Sequence, residues 1–196
     1  MSFLNSDGQY FSGEKAPGYI AVDVKPSENY KLKTNWYASI PDVWELDLSG
    51  FKISLIDKLN KVCGDKLDDI MKLYPKNEDK TWDSQIDQAK KWKALTPEQK
   101  IDNIHNVEYS CIFSIATGGV FIDSSLIGLV DQLAAKILRN RIIFEVFSGK
   151  VLNAKRTLKS DIEAATNENQ LKILENRVQS LYEGITVSSV ASELGV

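Results

Sequence analysis

Residues 130–165, VDQLAAKILRNRIIFEVFSGKVLNAKRTLKSDIEAA, decide how this chain folds. Steps of three and four from Val130 pick out Val130, Leu133, Ile137, Asn140, Phe144, Phe147, Val151, Ala154, Leu158, Asp161 and Ala165, of which Asn140 and Asp161 alone are polar. That stepping stays in phase across Gly149. It predicts one continuous helix that tolerates a glycine, at a cost of about 1 kcal/mol relative to alanine. At 1.5 Å per residue, roughly forty residues make a rod of about 60 Å, longer than one compact core of this size needs. A rod of this kind points to assembly, so Val130, Ile137, Asn140, Phe144, Val151 and Leu158 are candidate self-association residues. Asn140 is the oddity in the stripe. A lone asparagine on a helical seam can fix register between copies, and the other reading is a hydrogen bond within its own subunit.

Working outward, Asp123 or Ser124 caps this helix, and Thr166-Asn167-Glu168-Asn169 ends it. A second helix follows with Leu171, Leu174, Val178 and Leu181 in the same stepping, closed by Gly184, so residues 124–196 read as a long helical hairpin and tail. Before it, Val107, Tyr109, Cys111, Phe113 and Ile115 alternate with polar residues. With the turn Thr117-Gly118-Gly119 and the run Val120-Phe121-Ile122, they predict a β-hairpin at about 107–122. Ile112 and Ala116 break the alternation and leave a helical reading open. Residues 49–123 otherwise form a helical body. Ile56, Leu59, Cys63, Leu67, Ile70 and Tyr74 mark one helix face, Trp82, Ile86, Ala89 and Trp92 another, and Thr96-Pro97-Glu98-Gln99 is a capping-box start.

The first 48 residues read as a small antiparallel β module. Phe3–Ser6 and Gln9–Phe11 flank the turn dipeptide Asp7-Gly8, and extended pieces follow at Tyr19–Val24 and Tyr30–Lys33, then a connector anchored by Trp44 and Leu46. Such a sheet is marginal alone. Its aromatics Tyr10, Phe11, Tyr19, Trp36, Tyr37 and Trp44 are candidate partner-binding residues, since aromatic anchors are enriched at interfaces. The fold class expected is therefore α+β, in three consecutive segments, 1–48, 49–123 and 124–196.

Composition narrows the chemistry. With 43% hydrophobic and 26% charged residues the chain has the balance of a soluble globular protein, and its net charge of -3 gives no general attraction for nucleic acid or an acidic membrane surface. The basic excess around Arg139, Arg141, Lys155 and Arg156 reads as a solvated helix face. No apolar run approaches the roughly 20 residues that cross a bilayer, and the N-terminus lacks a secretory pattern, so folding in the cytoplasm is expected. One histidine, His105, and two distant cysteines, Cys63 and Cys111, are too few for a zinc shell or a catalytic triad. The expectation is therefore no catalytic residue, no metal and no cofactor, with both cysteines reduced.

Two blocks of residues resemble a known family. Leu4-Asn5-Ser6-Asp7-Gly8-Gln9-Tyr10-Phe11-Ser12-Gly13, then Ala16-Pro17-Gly18-Tyr19 and Val24-Lys25-Pro26-Ser27 with Trp36 downstream, resembles the N-terminal strand module of bacteriophage tail fibre assembly proteins and related small tail proteins. Tyr74-Pro75, Thr81-Trp82, Gln85, Ala89, Trp92 and Thr96-Pro97, with Ala154-Lys155-Arg156 and Asp161 to Thr166, is similar to the helical C-terminal part of such proteins. Residues 107–122 depart from that pattern, where a shorter link is expected. The resemblance implies a chaperone that helps fibre chains fold or trimerise in the bacterial host cytoplasm, or a subunit retained on the fibre or baseplate of the finished virion. Either way it implies no enzyme, and partners that are fibre or baseplate chains.

Overall fold

The computed structural model describes residues 2–4, 9–12, 20–23, 25, 30–33, 44–72, 81–119 and 123–195. Within them the chain is α+β. Five three-residue strands, β1 (Ser2–Leu4), β2 (Tyr10–Ser12), β3 (Ile20–Val22), β4 (Tyr30–Leu32) and β5 (Trp44–Leu46), precede the helices. Strand β1 is central between β2 and β3, both antiparallel to it, with Leu4 opposite Tyr10 and opposite Ile20. Strands β4 and β5 form a separate antiparallel pair, with Leu32 opposite Trp44. The hairpin expected around Asp7-Gly8 is thus present as β1 and β2, its turn lying outside the described residues. The connector expected at Trp44 and Leu46 is a strand.

The helices are α1 (Leu48–Met71), α2 (Trp82–Ala94), α3 (Pro97–Asp102), α4 (Ser110–Thr117), α5 (Ile127–Ala164), α6 (Glu168–Ser180) and α7 (Val187–Glu193). Local chemistry sets their ends. The Thr96 hydroxyl accepts from the Gln99 amide and the Gln99 side chain accepts from the Thr96 amide, a complete capping box with Pro97 in the first turn. Asp123 accepts from the Ser125 amide at 2.7 Å and opens a 3-10 turn that runs into α5. Helix α5 then continues for 38 residues through Gly149. Asn167 caps α6, and Gly184 lies in the turn after it with a positive φ of 81°.

The β-hairpin expected at 107–122 is corrected: Val107–Tyr109 is a 3-10 turn and Ser110–Thr117 is helical, while 120–122 lie outside the described residues. Alternation fails because Ile112 and Phe113, adjacent in sequence, are both buried, while Val107 is 83% exposed. On a helix Tyr109, Ile112, Phe113 and Ala116 share one side, and all four belong to one apolar cluster with Ala89, Trp92, Val130 and Ala134. Gly118, with a φ of 68°, is then the left-handed cap of that helix and not a hairpin turn.

The chain divides into two compact units, one of residues 1–62 and 155–181, the other of residues 63–154 and 182–196. The divisions fall inside α1 and α5, so neither unit is one consecutive stretch. The first unit packs Phe51, Leu55 and Leu59 of α1 with Leu158 and Ile162 of α5 and Leu171, Leu174 and Val178 of α6. The second is built on the cluster around Trp92.

Candidate partner-contact surfaces

In the first unit, the candidate aromatics divide by role. Trp44 is buried with Leu4, Tyr30 and Leu32, and its indole N–H donates to the Asp23 carbonyl at 2.8 Å. Tyr10 stands edge-on to it, ring centres 5.3 Å apart, and remains 36% exposed, its hydroxyl bonded to Ser2 Oγ at 2.8 Å. Trp44 therefore serves the module's own core, while Tyr10 keeps a face open. The side chain of Phe11, together with Tyr19, Trp36 and Tyr37, lies outside the described residues.

Strand β4 is tied to the start of α6. Tyr30 donates to Glu168 Oε2 at 2.6 Å, and Lys172 pairs with the same carboxylate at 2.7 Å. The bond from Lys172, followed by that from Tyr30, holds the Glu168 carboxyl below its ordinary value. Donation to Glu168, followed by burial, raises the Tyr30 phenol. Beside this link, Asp161, Ala164, Ala165, Gln170, Ile173 and Leu174 line a shallow groove of about 280 Å³ where α5 ends and α6 begins. Ile173 is 62% exposed at its rim, and Asp161 is held by Arg177 at 2.9 Å.

The stripe proposed for self-association is largely internal, which corrects the expectation from spacing. Val130, Val151 and Leu158 are fully buried within the chain. Val130 packs into the Trp92 cluster and Leu158 between α1 and α6. Phe144 is half-buried edge-on to Trp82, centres 5.7 Å apart. Ile137 packs against the Trp92 cluster, and Asn140 is half-buried and has its own interaction. A three-four repeat marks an apolar side without saying whose helix meets it. Here this chain's own helices do.

The second unit gathers the polar side chains that spacing missed. Gln85 and Gln88 are buried in α2 together with Ala89 and Trp92, while Trp82 and Ile86 are half-buried. Gln88 Oε1 accepts from the backbone amides of Cys111 at 3.0 Å and Ile112 at 3.1 Å. These are first-turn amides of α4, whose own N-cap residue, Tyr109, gives no side-chain bond. A buried polar residue in phase with Ala89 and Trp92 was the available signal. Trp92 makes edge-on contacts with Tyr109 and Phe113 and donates to Asp131 at 3.1 Å. Lys100 closes the group, 2.6 Å from Asp131 with its side chain only 12% exposed.

Cys63 is buried and Cys111 half-buried, and they are not joined in a disulfide. The Tyr182 phenol lies beside the Cys63 thiol, and burial, followed by that thiol, raises it. Among the described residues, no group of three or more His, Cys, Asp or Glu side chains could hold a metal ion, and no helix is long and apolar enough to cross a membrane. No family model, curated protein or solved structure matches this chain.

Proposed function

We propose that this chain is a bacteriophage tail protein that binds tail fibre chains, acting as a fibre assembly chaperone in the host cytoplasm and staying in the finished tail where it is retained. The reading starts from the two sequence blocks that resemble tail fibre assembly proteins, Leu4 to Ser27 with Trp36, and Tyr74 to Pro97 with Ala154 to Thr166. The observation that carries it is the half-open aromatic pair of the N-terminal β module, where Trp44 fixes the fold and Tyr10 keeps an exposed ring. A rigid aromatic held this way loses little conformational entropy on meeting a partner, which favours it as an anchor. In this proposal α5 and α6 act as a helical hairpin that presents the groove beside Ile173 as a second contact. The work is done by contact alone, with no catalytic step.

The test is co-expression with a fibre chain from the same phage source. The chain should co-purify with it or raise its yield of soluble trimer, and Tyr10→Ala should reduce either effect. Failure of the unaltered chain on both counts removes the proposal. A purely structural fibre or baseplate subunit is the second reading, favoured by the length of α5. Mass spectrometry of finished particles separates the two, because a subunit persists there and a chaperone leaves.

A further inference from the structure

The groove beside Ile173 lies where α5 ends, and the charges placed there run against the dipole of that helix. A helix C-terminus carries partial negative charge and favours cations. The last turn of α5 has no basic residue and holds Asp161 and Glu163 instead. Cations are supplied from other positions of the first unit: Arg177 on α6 reaches Asp161 Oδ2 at 2.9 Å, Lys52 on α1 donates to the Glu163 carbonyl at 2.7 Å, and Lys159 stands 3.6 Å from the Glu163 carboxylate. Each of these is a single, exposed contact of the kind that contributes little. Two polar groups of the groove stay open. Among the described residues, Asp161 Oδ1 meets no donor. Gln170 Oε1 accepts from the Thr166 amide at 2.7 Å and from the Thr166 hydroxyl at 3.2 Å, which leaves the Nε2 hydrogens of Gln170 without an acceptor there. The remaining lining, Ala164, Ala165, Ile173 and Leu174, is apolar, so Asp161 is the charged residue of the groove.

We infer that this groove receives one basic side chain of a partner polypeptide, its charged end on Asp161 Oδ1 at the negative end of α5, its aliphatic stem against Ile173 and Leu174, and its main-chain carbonyl accepting from Gln170 Nε2. The inference rests on the reading of the groove as a contact for a partner chain, and it names the chemistry of what enters. Charge complementarity selects the cation. An unfilled carboxylate oxygen and a helix C-terminus both attract positive charge, and a carboxylate brought into the same groove would meet Asp161 and be repelled. Size selects a single side chain: about 280 Å³ is roughly twice the ~150 Å³ that holds a benzene ring. Long basic side chains bury their stems on apolar surface and keep the charged end near water. That division matches a groove with apolar walls whose carboxylate is 41% exposed.

Three capped tripeptides, with alanine on either side of arginine, citrulline or glutamate, test this when titrated into the full chain and followed by amide shifts in two-dimensional NMR. The arginine peptide should shift the amides of Ala164, Gln170, Ile173 and Leu174. It should bind about two- to fivefold more tightly than its uncharged citrulline isostere, the range for an exposed ion pair, and the glutamate peptide should bind more weakly than either. Asp161→Asn should erase the advantage of arginine over citrulline. Arg177→Ala frees the second carboxylate oxygen and should strengthen arginine binding by a similar factor. Ile173 is 62% exposed, so Ile173→Ser leaves the fold intact and should weaken the arginine and citrulline peptides alike. Shifts centred outside the groove, equal binding of arginine and citrulline, or an arginine advantage that survives Asp161→Asn would overturn the assignment. Because no fibre takes part, peptide binding by a chain that ignores fibres would remove the fibre reading alone, and fibre binding by a chain that ignores the peptides would remove this assignment alone.

Discussion

Replacing Gln88 with leucine removes the acceptor that holds the first turn of α4. The leucine has similar bulk, so the change removes hydrogen bonds with little loss of packing: the two that Gln88 accepts, and a longer one that it donates to Ser84 Oγ at 3.3 Å within α2. Ile112 N sits in a buried environment and cannot recover a water, so leaving it without an acceptor costs about 1–3 kcal/mol. Cys111 N is part-buried and recovers some solvation, so its share falls nearer the 0.5–2 kcal/mol typical of a lost helix cap. Together the two predict a loss of about 2–4 kcal/mol, a large fraction of the roughly 5–15 kcal/mol that holds a domain folded. Urea titration followed by helical circular dichroism and tryptophan fluorescence measures it, since Trp92 lies in the same cluster. Gln88→Glu is the control: its carboxylate still accepts from both amides at a helix N-terminus, where negative charge is favoured, and should lose less than leucine. If Gln88→Leu melts within about 0.5 kcal/mol of the unaltered chain, the cap does not hold α4, and the explanation of why 107–117 is helical fails with it.

Three further outcomes follow from the packing and the charges. Leu158→Ala, at a fully buried position between α1 and α6, should cost about 2–5 kcal/mol in a denaturant titration and leave the mass by light scattering unchanged; a drop in mass would return Leu158 to a seam between copies. Gly149→Ala should stabilise α5 by about 0.5–1 kcal/mol, because the residue is helical and nothing beyond the adjoining helix backbone lies within 4 Å of the added methyl; a lower melting temperature would refute this. Glu168, held below its ordinary value of 4.5, binds fewer protons folded than unfolded. Its contribution is full above that value and lost as pH falls through the lower folded one, whereas that of Tyr30, raised above 10.0, is lost only as pH climbs past that. The melting gap between the unaltered chain and Glu168→Gln should thus be present at neutral pH and close on acidification; a gap that stays constant to about pH 3 would show that the carboxylate is not the source.

What was legible in the sequence was local. Thr96-Pro97-Glu98-Gln99 carries its own instructions in four residues, and the capping box forms as written. Gly184 takes the positive φ that glycine adopts freely in the turn after α6, although the helix itself ends earlier, at Ser180, and Asp7-Gly8 sits between two strands that pair as a hairpin. What was not legible depends on partners distant in sequence. Strand β5 is three residues long and exists because Tyr30–Leu32 lies beside it. Helix α4 takes its cap from Gln88, more than twenty residues earlier, and without that cap the alternation of Val107, Tyr109, Cys111, Phe113 and Ile115 reads equally well as a strand.

The internal stripe of α5 also constrains where contact chemistry can reside. A helix of 38 residues whose seam was free would present one continuous ridge to another helix, and association would then be a property of that ridge. With Val130, Val151 and Leu158 buried, the apolar side chains that stay open on α5 are Leu129, Ile142 and Leu152, respectively 45%, 47% and 37% exposed. Their spacings of 13 and 10 residues do not repeat a helical face at 100° per residue, so they cannot make a second ridge. Isolated exposed side chains of this kind are ordinary on a protein surface and recruit nothing by themselves. In the proposed function, contact is therefore made where shape and an anchor coincide, at the open ring of Tyr10 or at the groove beside Ile173.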